Sequence, residues 1–273
     1  MSSNVKGSIL KGKKGVILGV ANKWSIAWGI AKALYREGAE LILTYHIRVK
    51  DRVEALAEEL GPDVKIVECD VTDDINTDKA FEEINKIFNG KLDFLVHSVA
   101  FANKDELNGR YVETTREGYL LAQDVSAYSL VAVSRRAEPL FVANGGGSIV
   151  CLTYIGGERV VENYNVMGVA KAALESSVKY LANDLGPKNI RINAISAGPI
   201  KTLAASAIGG ISKLIDIIAR LSPLRKNIEI EEVGDTALFL VSDMSRAITG
   251  ENLHVDSGFH CLAIVSGGEN GEE

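Results

Sequence analysis

Along the chain, short uninterrupted apolar runs alternate with longer segments in which apolar residues recur every three or four positions. The runs at 15–20, 41–45, 64–69, 94–97, 148–152 and 190–195 are rich in Val, Ile and Leu, with no polar alternation. Such runs predict strands buried on both faces, as in a parallel sheet. Residues 253–255 predict a last strand. The amphipathic segments 26–36, 49–60, 79–88 and 165–185 predict helices, as does a long stretch around 118–142. Turn residues separate them, among them Glu37-Gly38, Asn89-Gly90, Asn144-Gly145-Gly146-Gly147 and Gly186-Pro187. This alternation predicts an α/β fold, a Rossmann-type doubly wound parallel sheet. No repeat or linker interrupts the pattern, so a single domain is expected over 1–265. The apolar segment 203–221, broken at Gly209-Gly210, reads as two short lid helices over a substrate or as plain core. The Gly-rich, acidic end at 266–273 reads as a disordered tail.

Composition narrows the picture mainly by exclusion. With 273 residues, 47% of them hydrophobic, the chain can bury one large core. A net charge of −6 offers no basic excess for nucleic acid or an anionic membrane surface. Cys69, Cys151 and Cys261 are odd in number, far apart and without a C-x-x-C pair. They read as reduced thiols of a cytoplasmic protein. His46, His97, His254 and His260 fall in no ligand spacing, so no metal is expected. The first 14 residues lack the apolar core of a signal peptide. No apolar run reaches the roughly 18 residues that span a bilayer.

Two places carry candidate chemistry. At the first, a strand ends at Gly19 and Ser25 stands where it would cap the helix that starts at Ile26. Strand, glycine turn and helix start present free N–H groups and a helix dipole to an anion. The G-x-G-x-x-G pattern is absent, and a Ser-capped helix after a glycine turn also occurs with no ligand. The second strand ends in Thr44-Tyr45-His46, without the acid that often holds a ribose 2′-hydroxyl. His46 could meet the ribose or adenine, and Arg48 and Lys50 a 2′-phosphate, or all three could be solvated. Asp70 and Val71 follow the third strand, where a carboxylate can take an adenine amino hydrogen or cap a turn.

At the second place, Tyr164 and Lys171 stand seven residues apart. Seven helical steps of about 100° return to within roughly 20° of the starting face. A phenol has an ordinary pKa of about 10, and a nearby cation stabilises its anion. The pair is a candidate acid and oxyanion holder for carbonyl or conjugated-carbonyl reduction, or an ordinary amphipathic helix.

Taken together the motifs are more specific. Gly19-x5-Ser25-x-Ala27 with Tyr164-x2-Met167-x3-Lys171 resembles the divergent branch of the short-chain dehydrogenase/reductase superfamily. Within it the chain is similar to the NADH-dependent enoyl-acyl-carrier-protein reductases of bacterial type II fatty-acid synthesis, over about residues 10–263. The runs Ser25-Ile26-Ala27-Trp28-Gly29, Asp93-Phe94-Leu95-Val96-His97-Ser98, Asn163-Tyr164-Asn165-Val166-Met167-Gly168 and Asn193-Ala194-Ile195-Ser196-Ala197-Gly198-Pro199-Ile200 carry that resemblance in order. Commoner reductases of the superfamily use Tyr-x3-Lys, and here position 168 is Gly. They also carry N-A-G after strand four, where this chain has Ser98-Val99-Ala100-Phe101.

The resemblance implies residue roles. Gly19, Ser25 and Ile26 would line the pyrophosphate, and Asp70 and Val71 the adenine. Ser98, Val99 and Ala100 would run beneath the adenosine and nicotinamide ribose, and Lys171 would bond the ribose hydroxyls. Ile200 would bind the carboxamide through its backbone, with Thr202 by the pyrophosphate and nicotinamide. Tyr154 matches the family's second active-site tyrosine, and Tyr164 would bond the thioester oxygen. Thr153 replaces a usual Ser, Glu162 a usual uncharged residue and His46 a frequent Gln. The implied cofactor is NADH, with NADPH a weaker alternative, and the implied assembly is a homotetramer. An enzyme of the same branch acting on another enone or an enoyl-CoA, and a nucleotide-binding scaffold without catalysis, are the other readings.

Overall fold

The computed structural model describes residues 7–200 and 211–263. In chain order, β1 (Lys14–Leu18), α1 (Ile26–Arg36), β2 (Glu40–Tyr45), α2 (Lys50–Leu60), β3 (Lys65–Glu68), α3 (Asp74–Ile87) and β4 (Phe94–His97) form the first half. The second half holds α4 (Arg116–Gln123), α5 (Ser129–Ala143), β5 (Gly147–Thr153), α6 (Asn165–Leu185) and β6 (Ile190–Ala197), then α7 (Ile211–Leu221), α8 (Ile230–Val241) and β7 (Asn252–Val255). The strands make one sheet in the order β3-β2-β1-β4-β5-β6-β7, with every pairing parallel. This is the doubly wound Rossmann-type sheet that the apolar pattern predicts.

The pattern has a simple cause. Successive strand residues point to opposite faces, and here both faces are covered. Ile17, Leu43, Val96, Val150 and Ile195 pack against α1, α2 and α8. Val16, Leu18, Ile42, Leu95, Ile149 and Ile192 pack against α3, α5 and α6. Polar residues on the central strands, such as Ser148 and Asn193, are buried and bonded to backbone carbonyls.

Beyond shifts of one or two residues at strand ends, the structure differs from the sequence expectation at three places. α3 starts at Asp74, five residues before expected, because Asp73 caps it by accepting from Ile75 N and Asn76 N. Its first turn is polar, so the apolar period begins only later. The long stretch around 118–142 is α4 and α5 joined by a π turn at Asp124–Tyr128. α8 was not expected. It starts with a capping box between Glu229 and Glu232 and lies on α1 at paired glycines. A Cβ on Gly29 would sit 2.5 Å from Ile230 O, and one on Gly234 would sit 2.7 Å from Gly29 O. No helix among the described residues is long and apolar enough to cross a membrane.

Candidate active site

In this strand order, consecutive connections run outward from β1 to β3 and then return to β4 on the other side of β1. The crevice at the carboxyl ends of β1 and β4 is therefore the topological switch point, where doubly wound sheets bind ligands. Gly19 sits there with φ 96°. A Cβ at this position would lie 2.0 Å from Ser98 O. Only glycine lets the two strand ends approach this closely and also adopts this φ without strain.

The turn after Gly19 is organised from within. Asn22 Oδ1 accepts from Trp24 N at 2.8 Å, and Asn22 O accepts from Ser25 Oγ at 2.8 Å. Ser25 Oγ in turn accepts from Trp28 N, capping α1. The Ser25 hydroxyl thus spends its proton inside the turn and orients the first N–H groups of α1, starting at Ile26. Those groups have no partner within the helix. A dinucleotide pyrophosphate fits this cradle: backbone donors, a dipole end and no side chain at Gly19.

His46 and Asp70 close the ends of β2 and β3. His46 Nδ1 accepts from Arg48 N at 3.2 Å, and Nε2 lies 3.4 Å from Asp70 Oδ2. Thr72 N and Oγ1 both donate to Asp70 Oδ1. Burial works against ionisation of Asp70, but the Thr72 bonds and the adjacent His46 outweigh it and hold the carboxyl below its ordinary value. Arg48 and Lys50 are exposed, and Val71 is half-buried against the core.

The tyrosines meet at the end of β5. Tyr154 follows the strand directly, and a one-turn helix at Ile155–Gly157 comes next. Tyr164 immediately precedes α6, between Asn163 (φ 60°) and Asn165 (φ 27°), left-handed positions that turn the chain sharply. The two rings pack edge to face, with centroids 5.1 Å apart at 72°. Gly156 is wedged beside them: a Cβ there would lie 2.4 Å from the Tyr164 ring. Gly168, one turn into α6, lies beneath the same turn, and a Cβ on it would sit 2.7 Å from Gly156 O. A lysine at 168, the Tyr-x3-Lys arrangement, would push that turn off the helix. The cation stands instead at Lys171, which is 6% exposed and donates from Nζ to Leu152 O at 2.7 Å.

Burial dominates the electrostatics here. It pushes the Tyr154 phenol up to about 12, and raises Tyr164 further, with Tyr154 and Glu175 adding in the same direction. It pulls Lys171 down to about 8. Burial thus works against the eased ionisation of Tyr164 that a nearby cation was expected to provide. Behind it, His97 at the end of β4 is fully buried, with Nε2 2.8 Å from Ser129 Oγ. Burial first, and the Lys171 charge second, lower His97 to about 3, so its imidazole is neutral.

Ser98, Val99 and Ala100 continue from β4 beside Gly19, and Ile200 follows β6, half-buried against the core. All these candidates thus lie at the carboxyl ends of strands β1 to β6 or at the start of α1 and α6. Thr202 lies outside the described residues, as do residues 203–210 of the expected lid and the tail at 266–273. The remainder of the expected lid is a single helix, α7. The sequence reading passed over Asn22, Gly156 and Glu175 as site residues. The first two are legible only once the turns they shape are seen.

The family model described as Enoyl-(Acyl carrier protein) reductase matches residues 19–260. The chain belongs to that family. An enoyl-[acyl-carrier-protein] reductase [NADH] of Bacillus cereus is 54% identical over 256 residues, covering 93% of this chain and 99% of its own. An enoyl-[acyl-carrier-protein] reductase [NADPH] of Staphylococcus aureus is 52% identical over 255 residues, covering 93% and 98%. The crystal structure of the Bacillus cereus enoyl-acyl carrier protein reductase with NADP+ and indole naphthyridinone matches with a TM-score of 0.91 at 52% identity, covering 94% of this chain and 100% of that one. Enoyl reductases similar to this one thus include both NADH and NADPH enzymes.

Proposed function

We propose that this reductase converts trans-2-enoyl-acyl-carrier-protein to the saturated acyl-carrier-protein, using NADH, in the reductive step of fatty-acid elongation. One observation carries the reading: the edge-packed Tyr154–Tyr164 pair, with buried Lys171 bonded to Leu152 O two residues before Tyr154, at the ligand-binding end of the sheet. A nicotinamide cofactor held by Lys171 and the Ser98–Ala100 strand end would supply the hydride that the β carbon of the enoyl thioester takes up. The enolate so formed takes a proton at its α carbon, ultimately from solvent, and the residues of the chain bind and orient the reacting groups. Tyr164 donates a hydrogen bond to the thioester oxygen, where negative charge develops only as the enolate forms. Tyr154 braces that ring and adds a second hydroxyl. Lys171 spends one of three ammonium donors on Leu152 O and keeps two for the ribose hydroxyls.

The same reading assigns the pyrophosphate to Gly19, Ser25 and Ile26, the adenine to Asp70 and Val71, and the ribose side to Ser98, Val99 and Ala100. Ile200 takes the carboxamide through its backbone, and Thr202 sits by the pyrophosphate and nicotinamide. The Asp70 carboxylate beside His46 favours NADH, while exposed Arg48 and Lys50 leave NADPH as a weaker substrate. The protein works as one domain in the cytoplasm and assembles as a homotetramer. Apolar side chains left exposed on α4 to α6, among them Leu120, Tyr128 and Tyr180, support that assembly. NADH oxidation with crotonyl thioesters of acyl-carrier-protein and coenzyme A, and with a free enone, tests the substrate. The carrier-protein thioester should give the highest kcat/KM. Preference for either alternative, or no oxidation, would overturn the reading.

A further inference from the structure

Glu175 has no role in the steps above, yet it is bound to the site from two directions. It lies one helical turn after Lys171 on α6, and residues four apart share a helix face. Thr153 Oγ1 donates to Glu175 Oε1 at 2.6 Å, one residue before Tyr154. Lys171 donates to Leu152 O, one residue earlier still. Two successive turns of α6 therefore grip two successive residues at the end of β5. The turn beyond Tyr154 is fitted to the same carboxylate: a Cβ on Gly157 would lie 2.5 Å from Glu175 Oε1.

The titratable neighbours come from each element packed here. Burial raises the Glu175 carboxyl, the Thr153 bond opposes that, Glu158 adds to it, and Lys171 and Lys179 oppose it. Cys151 on β5 and His97 on β4 face Lys171, and Tyr164 feels the Glu175 charge.

We propose that Glu175 is a positioning residue for the tyrosine pair: its carboxylate holds Thr153, and with it the Tyr154 strand end, against the helix that carries Lys171, and it supplies the nearby negative charge that the buried ammonium needs. Loss of the hydrogen bond releases the strand end and loosens the Tyr154–Tyr164 packing. Loss of the charge alone makes the Lys171 ammonium give up its proton at lower pH.

The inference rests on the reductase reading. NADH affinity measured by fluorescence, without turnover, reports on Glu175 even if no enoyl thioester is reduced, so the two can fail separately. Glu175→Gln keeps an acceptor for Thr153 and removes the charge. It should move the alkaline fall in NADH affinity down by about half a pH unit. Thr153→Val removes the hydrogen bond and keeps the charge. It should lower kcat roughly tenfold, with KM within about twofold and the pH profile unmoved. Thr153→Ser should restore kcat. An unmoved profile in Glu175→Gln would overturn the proposal. So would wild-type kcat in Thr153→Val, or a loss that follows a lowered Tm and is not relieved by Thr153→Ser. Should Glu175→Gln not fold, the Thr153 variants decide.

Discussion

The two ends of this site are built from different materials. At the nucleotide end, Gly19, Asn22 and Ser25 offer backbone geometry, and the hydrogen bonds of the Asn22 and Ser25 side chains are closed within the turn and the first turn of α1. The polar side chains nearby, His46, Arg48 and Lys50, are partly or wholly exposed. At the tyrosine end, Tyr164 and Lys171 are 7% and 6% exposed, and burial displaces the titration of both. Backbone donors hold an anion whatever the pH, whereas buried side chains work only in the protonation state that their surroundings impose. Mutation should therefore separate binding from turnover.

The largest effect is expected at the tyrosines. Tyr164→Phe should lower kcat by about 10²–10³, the usual loss for one transition-state donor. NADH affinity should stay within about twofold, because only the bond formed in the transition state is removed. Should the single change be mild, the Tyr154→Phe/Tyr164→Phe double variant tests compensation. Wild-type turnover in both would remove the tyrosines from the mechanism.

Next is Lys171, which joins the two ends. Its ammonium is present below pH about 8 and lost above it. With Lys171 at the ribose as proposed, nucleotide binding favours the charged form, so NADH binding should take up protons, and affinity should fall as pH rises through about 8. Lys171→Ala should weaken NADH roughly tenfold and abolish that pH dependence. Calorimetry in buffers of different ionisation enthalpy reads both. An unchanged affinity and profile would make Lys171 a plain helix lysine.

Gly19→Ala tests the backbone end. A Cβ placed 2.0 Å from Ser98 O must displace β1 from β4. The fold should lose about 1–3 kcal/mol, the usual cost of a strained backbone position. NADH affinity should fall in proportion more than kcat at saturating NADH. A urea titration and a binding isotherm check the two halves, and a variant that binds NADH normally would separate the switch-point crevice from the nucleotide.

The smallest effect concerns the 2′-phosphate. Exposed Arg48 and Lys50 are screened by salt, with a Debye length of about 10 Å at 0.1 M. NADPH use should be measurable at low ionic strength and decline as salt rises, with NADH preferred throughout. Better kcat/KM with NADPH at both salts would show a built phosphate site around His46.

The split between the ends also explains what could be read in the chain. α1, β4 and α6 have the limits that their apolar periods predict, since each pattern is local and lies between clear turns. The strand ends with Gly19, Asp70, Ser98 and Tyr154 follow from the same alternation. α8 was missed because its first turn is acidic and Gly234 interrupts it like a breaker. That glycine makes sense only beside Gly29, about two hundred residues away in sequence and adjacent across the α1–α8 contact. The Thr153–Glu175 bond was invisible for a like reason, since nothing local makes a helix glutamate face a strand threonine.

By itself the sequence determined which residues lie on buried faces and roughly where the strands end; it set Tyr164 on one helical face with Lys171, whereas Tyr164 is the residue that precedes α6. Periodicity encodes these things because each depends on neighbours within a few residues. Only the tertiary structure decided that Gly168 must be bare beneath Gly156, that Tyr154 meets Tyr164 edge to face, and that burial sets the titration of Tyr164 and Lys171. Close approach and desolvation are properties of what lies across the gap, and the order of strands in the sheet fixes what lies there.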